Sequence, residues 1–350
     1  MTSSSLRLAQ VLAGAEQGGA ENFFVRLVSG LQGAPALQQK AFLRPYPQRI
    51  ERLQRAGVVT QGCGFPGPLG VMERRRYLKA LQGYQPDIVL TWMNRASGIT
   101  PPGDYTLVNR LGHYYNLKYY RQADYWVGIT RGICDHLVRG GMPADRVVHI
   151  PNFADEEVVP ALPRGSFDTP EDCPLILAAG RLHENKGFDV LLAALQSIPD
   201  AVLWLAGSGP EEVALKRRCE TLGLTGRVRF LGWRSDVTSL MRTADLFVCP
   251  SRHEGLGSIV LESWAHSCPI VATRSQGPAE LIDHGATGLL TPVDDPQTLA
   301  EAINLLLRDT RLREQLVEAG RQHYHACYSR TKIVGRYLEF FASLSASRER

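Results

Sequence analysis

No apolar run in this chain approaches the ~18–20 residues that a membrane-crossing helix needs. The most apolar stretches, 88–92, 175–179, 202–206 and 246–249, are strand-sized and end at polar, glycine or proline residues. A protein that does not span the bilayer is expected. The opening MTSSSLRLAQVLAG lacks a charged n-region, a long apolar segment and a small-residue cleavage site, which argues against a secretory leader. The cysteines are odd in number, scattered over positions 63, 134, 173, 219, 249, 268 and 327, and include no C-x-x-C. That pattern fits reduced thiols in a cytoplasmic protein better than a disulfide framework or a zinc site. No Asp-x-Asp triplet occurs, and no cluster of metal ligands has a recognisable spacing. No nucleic-acid-binding module is visible, nor any regular interleaving of basic with aromatic residues.

What remains is an ordinary globular composition: 44% apolar and 21% charged over 350 residues. It excludes a disordered or collagen-like chain and suggests two domains. The net charge of +4 hides an asymmetry. Residues 1–150 hold 18 Lys and Arg against nine Asp and Glu, or +9, and residues 151–350 hold 21 against 26, or −5. Part of the basic excess is the run Arg74, Arg75, Arg76 and Lys79. It reads either as a solvated helix face or as a surface for something anionic, a membrane or a phosphorylated acceptor.

Strand-sized apolar runs alternate with segments of helical periodicity along both halves, which predicts parallel sheets covered by helices on both faces. The proline-rich segment 151–174 reads as a linker. The expected division is residues 1–160, residues 161–328, and a C-terminal helix, 329–350, returning to the first domain. In such an α/β architecture, loops at the carboxyl ends of the strands form the ligand site.

Four loops carry candidate chemistry. Between the first strand and first helix, residues 14–21 read GAEQGGAE; Gly18 and Gly19 would let backbone amides approach a phosphate, although the spacing is not GxGxxG and a plain tight turn stays open. In GRLHENKG, Arg181 and Lys186 are five apart on a strand-to-helix loop, where two cations can converge on one anion. AGSGP, 206–210, is a second glycine-rich loop. The most specific signal is SRHEGLGSIVLES, which sets Glu254 on a glycine loop and Glu262 on the helix that follows. Gly255, Leu256, Gly257 and Ser258 offer amides to phosphate or sugar oxygens, and Glu262 can accept bonds from vicinal hydroxyls.

With these motifs the chain resembles the retaining family 4 of the GT-B glycosyltransferases. The resemblance spans nearly the whole chain and rests on the E-x7-E pattern in HEGLGSIVLESWAHSCPIVAT, with GRLHENKGFDVLLAAL, LAGSGPEEVAL, VRFLGWRSDV, ADLFVCPS and the early GGAE. It implies two Rossmann-like domains facing across a cleft, a nucleotide-sugar donor, and no metal or other cofactor. Arg181 and Lys186 would bind the donor diphosphate, Glu254 the sugar near the reacting carbon, and Glu262 the ribose. Gly18 and Gly19 would reach the phosphates, and Gly232, Trp233 and Arg234 would lie in the base-contacting loop. His113, after a strand of the first domain, would touch the donor sugar; a structural histidine, or Arg110 in its place, stays open. Residues 92–95 are a candidate acceptor lining, with local packing as the alternative.

The expected activity is transfer of a hexosyl group, from a UDP-sugar on family frequency, to a glycan or lipid-linked acceptor of lipopolysaccharide or another surface polysaccharide. The protein would be cytoplasmic, with peripheral contact at the inner face of the plasma membrane through Arg74, Arg75, Arg76 and Lys79. The alternatives are a sugar-nucleotide epimerase of the same architecture and a non-catalytic nucleotide-sugar-binding module.

Overall fold

The computed structural model describes residues 5–16, 18–65 and 70–348. Gln17 of the early glycine loop, residues 1–4 of the opening segment and residues 349–350 of the terminal helix lie outside the described residues, as do 66–69. The chain divides into two compact units, Met1–Asn152 with Arg330–Arg350, and Phe153–Ser329.

Unit 1 begins with β1 (Leu6–Leu12) and α1 (Gly19–Leu31), followed by β2 (Leu37–Leu43), α2 (Pro47–Arg55), β3 (Val59–Gly62) and α3 (Val71–Tyr84). It continues through β4 (Ile88–Trp92), α4 (Met93–Ile99), β5 (Thr106–Leu111), β6 (Tyr125–Gly128), α5 (Arg131–Arg139) and β7 (Val147–His149). The seven strands are parallel in the order β3-β2-β1-β4-β5-β6-β7. The chain therefore starts in the middle of the sheet, runs outward to β3 and crosses back to lay β4 against β1, where the strand order reverses. Every residue of β4 and β5 is buried, because helices cover both faces. β3 escapes a reading by apolar runs: it is a short edge strand, Val-Thr-Gln-Gly, with no buried residue.

Unit 2 repeats the plan with β8 (Leu175–Ala179), α6 (Phe188–Leu195), β9 (Val202–Ala206), α7 (Glu212–Thr221), β10 (Val228–Gly232), α8 (Val237–Thr243) and β11 (Leu246–Cys249). Then come α9 (Ser258–Ala265), β12 (Ile270–Thr273), α10 (Gln276–Leu281), β13 (Leu289–Thr291), α11 (Pro296–Arg308) and α12 (Thr310–Cys327). The order β10-β9-β8-β11-β12-β13, again all parallel, reverses between β8 and β11. Ile176, Leu203, Leu205 and Val248 of the strands are buried with Leu191, Leu195, Leu299 and Ile303 of α6 and α11. At ~1.5–3 kcal/mol for each fully buried large aliphatic side chain, this packing is what holds the strand ends in place.

Residues 153–160, grouped by sequence with the first domain, belong to unit 2. The amide of Ala154 donates to Tyr324 Oη (3.1 Å) and the His266 ring contacts the Asp155 carbonyl (2.8 Å), so these residues are tied to α9 and α12. The last helix, α13 (Arg330–Arg348), belongs to unit 1. Its Tyr337 is buried and accepts a hydrogen bond from Arg110 Nε (3.0 Å). No helix among the described residues is long and apolar enough to cross a membrane.

Candidate active site

In unit 2 the loops after β8, β9 and β10 are stacked backbone on backbone. The amide of Gly180 donates to Ala206 O (2.9 Å), that of Leu182 to Ser208 O (3.0 Å), and that of Gly207 to Gly232 O (2.7 Å). This closeness requires glycine: a Cβ at Gly207 would stand 1.8 Å from Gly180 O, and one at Gly209 would stand 2.3 Å from Leu182 O. Gly187 is constrained twice, by φ of +62° and by a Cβ that would fall 2.1 Å from Pro250 O. The loop after β8 is thereby clamped to the loop after β11, across the place where the strand order reverses.

That clamp brings together two of the residues singled out in the sequence. Lys186 Nζ donates to Glu254 Oε1, although 68 positions separate them. Ser251 Oγ donates to the same oxygen (3.2 Å). Burial works against the Lys186 charge, but the Glu254 carboxylate outweighs it and raises the ammonium above its ordinary value. Below the pair, burial pushes the Cys249 thiol up to about 11, so it stays protonated at neutral pH. Arg181 heads the loop, exposed, with no carboxylate within ion-pair distance among the described residues.

A residue not singled out in the sequence holds the other side of the loop. Arg252 donates in bidentate fashion to Asp189 (2.8 Å to each oxygen), and also to Asp294 Oδ1 (2.6 Å) and Glu184 O (2.7 Å). The Asp189 bonds, opposed by partial burial, raise the guanidinium further. Burial in turn opposes ionisation of Asp189, but Arg252 prevails and holds that carboxyl below its ordinary value. The signal was present, since Arg252 adjoins the glutamate loop, but its partners are 63 and 42 positions away.

Glu262 lies in the second turn of α9, partly exposed, and Gly257 (φ +72°) forms the N-cap whose first-turn amides begin at Ser258. Gly255 and Leu256 are buried beneath them. The indole of Trp233 is 58% exposed beyond the end of β10. Arg234 is committed locally: its guanidinium forks onto Asp236 (2.8 and 2.6 Å) and lies over the Phe167 ring.

In unit 1 the early glycine loop has an internal partner. The Ala15 amide donates to Glu21 Oε1 (2.8 Å), and a Cβ at Gly14 or Gly18 would collide with the Glu21 carboxylate. Gly19 has no such neighbour within 4 Å. Arg49, buried, closes the loop from the other side by donating to Ala15 O and Glu16 O. His113 is exposed, beside Tyr114 and Tyr115. Arg110, the alternative to it, is 2% exposed, packed over Trp92 (4.3 Å) and bonded to Asn152 and Tyr337, so it serves the core. Trp92 likewise points into the core, whereas Met93, Asn94 and Arg95 line a cavity of about 770 Å³ at the reversal between β1 and β4.

Two doubly wound units, each with a strand-order reversal, place the chain among the α/β proteins whose ligands bind outside the carboxyl ends of the strands at such reversals. Residues 163–323 match the family model for glycosyl transferases group 1. The chain is 35% identical over 340 residues to the lipopolysaccharide core biosynthesis glycosyltransferase LpsE of Rhizobium meliloti, covering 94% of this chain and 97% of that one. It is 32% identical over 328 residues to LpsD of the same organism, named in the same terms, covering 93% and 95%. This chain belongs to the group 1 glycosyltransferase family. Its fold is also similar to that of Anabaena HepE, solved in complex with UDP and glucose, with a TM-score of 0.84 at 20% identity over 97% of this chain and 100% of that one. The architecture is thus the GT-B arrangement of two Rossmann-like units.

Proposed function

We propose that the protein is a retaining, metal-independent hexosyltransferase that moves a sugar from a UDP-sugar to a hydroxyl of a glycan or lipid-linked saccharide in lipopolysaccharide or related surface-glycan synthesis. The observation that carries this reading is the Lys186–Glu254 pair at the β8/β11 reversal. As the anomeric bond breaks, negative charge grows on the departing diphosphate and oxocarbenium character on the sugar. Lys186, kept cationic by its carboxylate partner, and Arg181, whose guanidinium has no carboxylate partner among the described residues, meet the diphosphate. Glu254, held between Lys186 and Ser251, faces the sugar carbon. Glu262 takes the ribose hydroxyls, the amides of Gly255 to Ser258 take phosphate or sugar oxygens, and Trp233, beside Gly232 and Arg234, offers a stacking face to the base. From unit 1, Gly19 with Gly18 is assigned to phosphate and His113 to the donor sugar, on the family resemblance.

The UDP choice is supported by the complexes of HepE, and the acceptor class by the names of the two Rhizobium relatives. Retention is assigned to attack on the face from which the diphosphate leaves. The exposed Arg75, Arg76 and Lys79, with Arg74, support peripheral contact with an anionic membrane at ~1 kcal/mol per basic residue.

A screen of UDP-, GDP- and ADP-sugars by thermal stabilisation, followed by analysis of the product's anomeric configuration, tests the reading. UDP-sugars should raise the melting temperature and yield a retained glycoside. Isomerised donor in the absence of acceptor would favour an epimerase instead, and stabilisation without any transfer would favour a binding module.

A further inference from the structure

The cavity in unit 1 is lined by three arginines that come from three different elements: Arg44 just after β2, Arg74 in the first turn of α3, and Arg95 just after β4. Its one carboxylate, Glu21, is already engaged by the Ala15 amide. No carboxylate among the described residues lies within ion-pair distance of any of the three; Arg44 donates only to the Phe65 carbonyl (3.1 Å). Three cations against one carboxylate leave the lining of the concavity with a positive excess, which an anionic ligand would offset. Guanidinium groups are suited to grip carboxylate or phosphate oxygens two at a time.

The rest of the lining suits a saccharide. Tyr115 and Tyr119 present ring faces with polar edges, and Tyr115 is held in place by stacking on Tyr120 (6.1 Å, 11°). Met93 lines the cavity with φ of +67°, a left-handed conformation that a non-glycine residue adopts only where its surroundings impose it. On α3, whose buried residues are Tyr77 and Leu81, Arg74 is exposed but lies on the same side as that pair and lines the cavity, while Arg75 and Lys79 fall on the opposite side. The basic run therefore divides into one residue that lines the cavity and three that do not.

We propose that this cavity is the acceptor site and that the acceptor saccharide carries an anionic group, a carboxylate or a phosphate, which Arg44, Arg74 and Arg95 select. The role as acceptor site rests on the transferase reading, but the charge selectivity is measured without any donor. The full chain is titrated with trigalacturonic acid, with mannose 6-phosphate and with neutral mannotriose, using ligand-observed magnetic resonance. At least one anionic probe should bind about tenfold or more tightly than the neutral one, and the exposed-residue variant R74Q/R95Q should lose that preference. Which probe binds identifies the group.

Equal binding of charged and neutral probes, or none by either anionic probe at roughly 10 mM, overturns the proposal. So does unchanged selectivity in the variant. A parallel arm uses phosphatidylglycerol vesicles: if R74Q/R95Q abolishes vesicle binding while no saccharide binds, the arginines serve a lipid surface and the proposal fails. A failure of the transferase reading shows elsewhere, in the nucleotide-sugar screen.

Discussion

Unit 1 carries 23 Lys and Arg against 11 Asp and Glu, and unit 2 carries 16 against 24. The cations near the strand-order reversals nevertheless divide in an unexpected way. In the acidic unit Lys186, Arg234 and Arg252 each hold a carboxylate, whereas Arg181 has none within ion-pair distance among the described residues. In the basic unit the three arginines of the cavity hold none among the described residues. Internal pairing fixes a cation in position before any ligand arrives, which is how a site stabilises charge that develops during a reaction. Unpaired arginines depend on the ligand to bring the counter-charge, which is how a site selects among substrates.

The comparison can be broken most decisively at Lys186. Lys186→Ala should lower turnover by two to three orders of magnitude in initial-rate kinetics, the scale of removing one fixed stabilising group; near-normal transfer would remove the pair from the mechanism. Next in size is the rigidity of unit 2. Gly207→Ala places a Cβ against Gly180 O at φ of +144° and should cost about 3 kcal/mol or more by calorimetry. Gly19→Ala in unit 1, where a Cβ meets nothing within 4 Å, should stay within about 0.5 kcal/mol. Trp233→Ala should weaken UDP binding roughly tenfold, the scale of one base–aromatic stack, and leave the melting temperature unmoved, because the indole is exposed.

The smallest effect is one of pH. Arg252 holds Asp189, and Arg234 holds Asp236, below the ordinary carboxyl value of 3.8. Their contribution to stability is complete above that value and is lost as the pH falls through the lower folded values. Lys186 has the opposite sign: its contribution is complete below 10.5 and disappears as the pH rises past its raised value. Hydrogen exchange should therefore show α6 and α8 of unit 2 losing protection below pH ~4 before unit 1 does. Equal loss in both units would show that these pairs do not set the acid limit.

Much of this was legible in the sequence because two signals agreed. Runs such as 88–92 and 246–249 are buried on both faces and read as strands from composition alone. The glycine and glutamate motifs fall where those runs end. β3 and β13 were not legible; one is a polar edge strand and the other spans three residues. Lys186 and Glu254 were visible separately, but their contact depends on Gly187 packing against Pro250, which no spacing reports. The charge of the first half was visible as a sum. Its division between a cavity and an outer surface depends on helix phase and on topology, which draws Arg44, Arg74 and Arg95 to one place from 51 positions of chain. Arg110 illustrates the opposite error: a polar residue at a strand end read as an alternative for the site, when its partners, 42 and 227 positions away, make it part of the core.

The chain leaves unit 1 after Asn152 and returns to it only at Arg330. On the ribosome, the unit begun first is therefore finished last. Every residue of unit 2 has been translated by Ser329, while the Arg110 guanidinium, packed over Trp92 and Phe23, takes its Tyr337 hydroxyl partner from the helix translated next. A chain cut short before Arg330 would keep every residue of unit 2 but leave unit 1 without the Tyr337 partner of Arg110, a species exposed to chaperones and proteases. Completion of the first unit thus waits on α13, which is translated after all of unit 2.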